Sequence, residues 1–317
     1  VMGAKKLKAL AVRGTGKAEI ADKTELDRLR KAFIKEMKEM GGFAELLMKY
    51  GTCGLTSGLV ASGATPVKNW RYTGTQSFAN LEKIGDPDTV IQYQSRKYGC
   101  ANCPIACGGI FNVTGGKYPV GETHKPEYET IGAFGTMCMC DDLEAIIKLN
   151  DMCNRSGLDT ISAGTALAFA MECFENGIIS ESDTDGLALS WGNAEAMIAM
   201  IDKMIARQGF GDILADGVKI AADRIGSGAE EFAMHVGGQE PGLHNALFLP
   251  SRGTGFVCDP TPGRHTAAPM ARIDGGPGQF APYPELKIEQ FEKYTYTGKG
   301  PLSATASSYL QVGSSAG

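Results

Sequence analysis

Along much of the chain, apolar residues recur at three- and four-residue spacing, the pattern of helices that bury one face. After Asp22 or Thr24, which can cap a helix, Leu26, Leu29, Phe33, Met37 and Met40 trace such a face, and Gly41-Gly42 ends it. A shorter helix is predicted over 43–50 and another over 79–95. Asp141 or Asp142 caps a helix from Leu143 to Ser156 that Gly157 closes, and a very apolar helix, 163–176, stops at Gly177. Two more follow, 193–208 closed by Gly209 and 212–225 closed by Gly226. Strand character is confined to Lys6–Val12 and, weakly, Phe232–Val236. The segments 51–70 and from Gly237 onward read as loops. Pro126 favours an extended approach to Thr130 that sets Glu127 and Glu129 on one face, able to line a pocket, and Tyr128 on the other; two solvated glutamates are the simpler account of that face. The fold expected is mainly α with only short strands.

Composition narrows the function. With 317 residues, 43% of them hydrophobic, the chain can bury a large core, and its net charge of -5 offers no basic surface to nucleic acid. No apolar run is long enough to predict a membrane span. Nine cysteines, an odd number, without an export signal fit a reducing cytoplasm better than a disulfide framework. The 42 glycines point to tight turns and close backbone approaches.

The chemistry concentrates in Gly99-Cys100-Ala101-Asn102-Cys103-Pro104-Ile105-Ala106-Cys107-Gly108. Three thiols at C-x2-C-x3-C spacing can converge if the loop curls, and iron-sulfur clusters take Cys thiolates as ligands. Zinc ordinarily needs a second Cys or His pair, and Cys138 and Cys140 make only C-x-C. A [4Fe-4S] cluster is therefore expected ahead of zinc, with its fourth ligand still to be found. The joint Gly157-Leu158-Asp159-Thr160 lies between two helices, where exposed amides suit a polar or anionic ligand, though Asp159 or Ser162 serving as a plain N-cap explains it as well. His244 and His265 sit in long loops, and either suits an ordinary hydrogen-bonded histidine.

Taken in order, these stretches resemble the second and third domains of the tungsten-dependent aldehyde:ferredoxin oxidoreductases. The resemblance starts at Val1–Gly14 and runs through Cys100, Cys103 and Cys107, Pro126–Thr130, Asp141–Ala145, Cys153–Ser162 and Gly238–Pro241. Asp259-Pro260-Thr261-Pro262-Gly263-Arg264-His265-Thr266 resembles one branch of the family. It implies that 1–14 is the end of an N-terminal β domain, that 15–190 is a helical domain with the cluster loop and first pterin motif, and that 191–317 is a second, incomplete helical and loop-rich domain.

By the same resemblance, Cys100, Cys103 and Cys107 hold three irons of the cluster, the fourth cysteine falling beyond Gly317, since Cys258 belongs to a different motif. Asn154, Gly157, Leu158, Asp159 and Thr160 match a pterin-binding pattern, with Asn154 where the family usually has Asp. An amide accepts as a carboxylate does and also donates, so charge changes more than geometry. Glu129 matches a glutamate near the metal that acts as general base, and His244 a histidine on the other side of the substrate. The implied cofactors are a tungsten (or molybdenum) bis-pterin and the [4Fe-4S] cluster. The implied partners are a small aldehyde and ferredoxin or another electron carrier, with a homodimer allowed. No Glu-x-x-His iron site is expected, because the corresponding helix reads Lys148-Leu149-Asn150-Asp151. Two rival functions are a related tungsten subunit that reduces an acid or aryl-CoA thioester, and an iron-sulfur electron-transfer module without catalysis.

Overall fold

The computed structural model describes residues 2, 4–7, 9–16, 19–39, 41–101, 103–266, 278–280, 283–288 and 292–316. Its backbone falls into two compact units, Val1–Glu45 and Leu46–Gly317, and residues on both sides of position 190 lie in the second.

In the first unit the strand expected over Lys6–Val12 does not form among the described residues, and Leu7, Leu10 and Val12 are exposed. A strand needs a neighbour for its backbone groups, which alternation alone does not provide; Lys8 lies outside the described residues. Helix α1 (Lys23–Glu39) forms as predicted up to Met40, which also lies outside them. On its apolar stripe Met37 is buried, but Leu26, Leu29 and Phe33 are exposed. Periodicity identifies the apolar face and not what covers it. Helix α2 (Gly42–Tyr50) matches the sequence reading.

The second unit opens with α3 (Thr56–Ala61) and the two-stranded β1 (Pro66–Val67) and β2 (Tyr72–Thr73), where a loop is expected. The helix expected over 79–95 is instead α4 (Glu82–Gly85), α5 (Pro87–Ile91) and strand β3 (Gln94–Tyr98). The break has a local cause. Asp86 accepts the Thr89 amide as an N-cap, and Pro87 starts a new helix that the preceding one cannot run into. β3 pairs with β4 (Gly108–Val113), and β4 with β5 (Val120–His124), in one antiparallel sheet whose first connection carries the cysteine loop.

Helix α6 (Tyr128–Ile131) replaces the extended segment expected there. The Thr52 hydroxyl accepts the Tyr128 amide at 2.9 Å, so the chain turns helical directly after Glu127. α6 runs into a π-helical turn, Gly132–Thr136. The core forms where these turns meet α7 (Leu143–Ser156), α8 (Thr160–Glu175) and α9 (Ala194–Ala206), with Phe134, Ile146, Ile147, Leu167, Phe169 and Met171 fully buried. A Cβ on Gly164 of α8 would stand 2.6 Å from that of Ala133, so α8 and the π turn approach with only the Ala133 methyl between them.

The helix expected over 212–225 divides into α10 (Phe210–Leu214) and α11 (Val218–Ile225), because Gly217 has φ 87° and buried Glu240 accepts the Val218 amide at 2.7 Å. Phe232–Val236 is not a strand; Val236 makes an isolated bridge with Gln239. The region expected to be loops contains α12 (Pro250–Cys258), a hairpin of Gly278–Phe280 with Tyr283–Ile288, and a final helix, Lys299–Ala316. Among the described residues no helix is long and apolar enough to cross a membrane.

Candidate active site

Glu129 lies in the first turn of α6 with its side chain only 13% exposed and its Oε1 shut off from solvent, so it is not a solvated surface glutamate. Its Oε1 is 3.2 Å from Nε2 of His244 and 3.2 Å from Nε2 of His265, while Oε2 accepts the Leu243 amide at 2.8 Å. One donor atom from each of the three side chains falls within 4.8 Å of the others. Burial alone pushes the Glu129 pKa up, but contact with His244, the charges of His265 and His244, and the Leu243 amide together hold it below the usual carboxylate value. Glu129 is thus an anion in a nearly dry place.

The backbone that brings His244 there is fixed residue by residue. Glu240 accepts from the Val218 amide and the Ser162 hydroxyl, the Gly242 amide donates to Gly263, and the Leu243 carbonyl accepts the Tyr128 hydroxyl at 2.6 Å. The Asn245 amide donates to Ala64. The Tyr128 hydroxyl also lies 2.8 Å from Thr65, and its ring packs against His244 at 5.3 Å. Burial, reinforced by the Glu129 charge, drives the Tyr128 pKa up, so this phenol holds backbone and does not titrate. Gly242 is needed for contact: a Cβ there would meet His265 Nδ1 at 2.4 Å.

His265 arrives through a turn. The Thr261 amide and hydroxyl both donate to Asp259, the Gly263 amide donates to Phe256, and Arg252 donates to the His265 carbonyl. The sequence offered no ground for choosing His265 from its surroundings. The usable signal was a turn-forming Asp259 followed by glycine, with histidine and arginine at its end.

A cleft of about 150 Å³ reaches this cluster, lined by Asp159, Ile161, Gln239, Glu240, Gly242, Arg264 and His265 among others. Asp159 is exposed and caps α8 by accepting the Ser162 amide, while Gly157 closes α7 in the left-handed conformation with φ 74°. Asn154 and Gly157 are exposed; Leu158 and Thr160 are half-buried. The Thr160 hydroxyl lies 2.9 Å from that of Thr130, tying the joint to the residue after Glu129. Through Asp159 the helix joint, and through His265 the acid cluster, thus border one cleft.

The cysteine loop is different. Cys100 and Cys103 are exposed and Cys107 half-buried, with the Cys103 amide donating to Cys100 and Lys125 donating to the Cys107 carbonyl at 2.8 Å. Among the described residues their sulfurs do not form a converged set; Asn102 lies outside those residues. Burial pushes the thiols of Cys53 and Cys140 up to about 11 and those of Cys153 and Cys173 to about 12, which makes them inert packing groups. The accessible thiols are those of the loop together with exposed Cys258 at the end of α12.

The sequence of residues 28–317 matches the family described as aldehyde ferredoxin oxidoreductase, domains 2 and 3. The tungsten-containing aldehyde ferredoxin oxidoreductase of Pyrococcus furiosus is 36% identical over 266 residues, which cover 84% of this chain and 42% of that protein. Its counterpart in Thermococcus kodakarensis is 35% identical over 267 residues, with the same coverage of 84% and 42%. An aliphatic sulfonate oxidoreductase, WOR-like subunit, of Pyrococcus furiosus is 31% identical over 254 residues, 77% of this chain and 39% of that one. Among solved structures, the active site complex BamBC of benzoyl coenzyme A reductase with 1,5-dienoyl-CoA superposes with a TM-score of 0.66 at 26% identity, covering 89% of this chain and 42% of that one. The chain spans about two fifths of the length of these relatives.

Proposed function

The chain belongs to the aldehyde ferredoxin oxidoreductase family, and from that premise we propose that it carries the acid-base and cofactor-facing residues of a tungsten-pterin oxidoreductase that converts small aldehydes to carboxylic acids. The observation that carries the reading is the buried Glu129 carboxylate between two imidazoles at a cleft that Asp159 also lines. Aldehyde oxidation removes protons from an added water and electrons from carbon. Carboxylate and imidazole manage the first, and no side chain manages the second.

Asn154, Gly157, Leu158, Asp159 and Thr160 would hold the pterin, and Cys100, Cys103 and Cys107 the cluster. When bound, these groups supply two-electron and oxygen-transfer chemistry and a single-electron path toward ferredoxin or another carrier. Glu129, kept anionic at neutral pH, accepts the proton of the attacking water. His244 orients the aldehyde. Its Nε2–H faces Glu129 and its buried Nδ1 lacks a protein partner, which leaves Nδ1 to accept a hydrogen bond from the hydroxyl of the hydrated aldehyde. Tyr128 and Leu243 keep both groups in place.

A second reading, reduction of an acid or aryl-CoA thioester by a related tungsten subunit, is favoured by the likeness to the benzoyl coenzyme A reductase complex. The deciding experiment is tungsten, molybdenum and iron analysis of the anaerobically purified holoenzyme, followed by acceptor reduction with a panel of aldehydes. Glu129→Gln should retain metal and iron and lower kcat by about 10²–10⁴-fold. Unchanged turnover removes Glu129 from the mechanism, thioester reduction without aldehyde oxidation selects the second reading, and iron without tungsten or molybdenum leaves an electron-transfer module.

A further inference from the structure

We propose that His265 is the proton exit of this site, taking from Glu129 the proton collected from substrate and passing it to water in the cleft. The inference rests on the aldehyde-oxidising reading above. One aldehyde and one water give a carboxylate, two electrons and three protons, so the buried base must be discharged before every further turnover. The step itself conserves charge: protonated Glu129 and neutral His265 become carboxylate and imidazolium, and the imidazolium then returns to neutral by releasing its proton to solvent.

Two imidazoles contact the same Glu129 oxygen at 3.2 Å, but they differ in what lies behind them. The His244 side chain is 11% exposed, its Nδ1 is buried without a protein partner, and its ring is backed by Tyr128, whose hydroxyl is already committed to Leu243 and Thr65. A proton placed on His244 has only Glu129 or the substrate to return to. The His265 side chain is 24% exposed and lines the cleft beside exposed Arg264. That gives it a route to water that His244 lacks.

The charges around His265 favour release. Glu129 faces it from α6, His244 from the loop below at a ring distance of 4.8 Å, Arg252 from α12, and Arg264 and Asp159 belong to the same cleft. Burial holds the imidazole below its ordinary pKa; Glu129 opposes this, and His244, Arg252 and Arg264 add to it. A group so placed receives a proton from the carboxylate beside it and does not keep it.

The test is His265→Gln in the holoenzyme. Expected are a fall in kcat of about 10²-fold with KM unchanged, an increased solvent deuterium isotope effect on kcat, and partial recovery on adding imidazole, all at wild-type tungsten and iron content. A kcat equal to wild type, or a loss that imidazole does not relieve and that leaves the isotope effect unchanged, overturns the proposal. Gly242→Ala gives a second route, because its Cβ would meet His265 Nδ1 at 2.4 Å and push the ring from Glu129. It should show the same raised isotope effect, and a wild-type value there also overturns the relay. A wild-type holoenzyme that oxidises no aldehyde sinks the underlying reading and the relay together, whereas an active wild type with an equally active His265→Gln removes the relay alone.

Discussion

The acid cluster and the cysteine loop are built on opposite plans. Around Glu129, the amides of Gly242, Leu243, His244 and Asn245 and the carbonyls of Gly242, Leu243 and Asn245 are all hydrogen-bonded, and the Glu240 side chain anchors the start of the segment. Between β3 and β4, thiols stand exposed or half-buried with little more than a turn and the Lys125 ammonium to hold them. Groups that move protons must be preorganised before substrate arrives, since a dry site strengthens each interaction only if nothing has to rearrange. Thiolates for a cluster are ordered by the metal they bind, and metal binding itself contributes the ordering free energy. On the proposed reading, one region is finished by folding and the other by the cluster it would bind.

The sharpest way to break this contrast is Cys103→Ser. It should abolish cluster absorption and lower bound iron in the holoenzyme, yet shift the denaturation free energy of the cofactor-free chain by less than about 0.5 kcal/mol, as for other exposed positions. Retained iron would remove Cys103 as a ligand. Tyr128→Phe should do the reverse. Iron content stays, but loss of the donor to the buried Leu243 carbonyl costs about 1–3 kcal/mol in urea unfolding, and a cost near zero would mean the cluster is not held by this bond.

The smallest effect is in pH. His265 has a folded pKa below its ordinary 6.5, so the unfolded chain binds more protons once pH drops below about 6.5, and stability falls with pH from there until the folded value is reached. Glu129, with a folded pKa below its ordinary 4.5, contributes stability above that value and loses it only as pH falls further. Thermal midpoints of wild type and His265→Gln should therefore change their difference as pH is lowered from 6.5 toward 4.5, and a constant difference would deny that His265 is buried as described.

Much of the helical frame was legible because its signals are local. Asp142, Asp159 and Asn193 each cap a helix, and Gly157 and Gly177 end theirs in the left-handed region, all within a turn of the residues they serve. Where a tertiary partner decides the outcome, the reading failed. Residues 79–95 break at Asp86-Pro87, 212–225 break where Glu240 reaches Val218, and Lys6–Val12 finds no strand to pair with among the described residues. The same holds in the site. Family likeness singled out Glu129 and His244, whereas periodicity placed Glu129 on an extended, solvated face. The burial of Glu129 and its contact with His265 depend on loops more than a hundred residues downstream in sequence, whose register no local pattern encodes.

The π-helical turn at Gly132–Thr136 carries a consequence for how this chain can vary. Such a turn holds one residue more than an α turn, which advances every following position by roughly 100° about the helix axis. Tyr128 and Glu129 precede the extra residue, while Met137, Cys138 and Cys140, all buried, follow it. A one-residue deletion there would leave Tyr128, Glu129 and both histidines unchanged in identity and still rotate the core-facing half against the half that carries Glu129. Insertions and deletions should therefore be far rarer in these five positions than point substitutions, however distant from the chemistry each residue is.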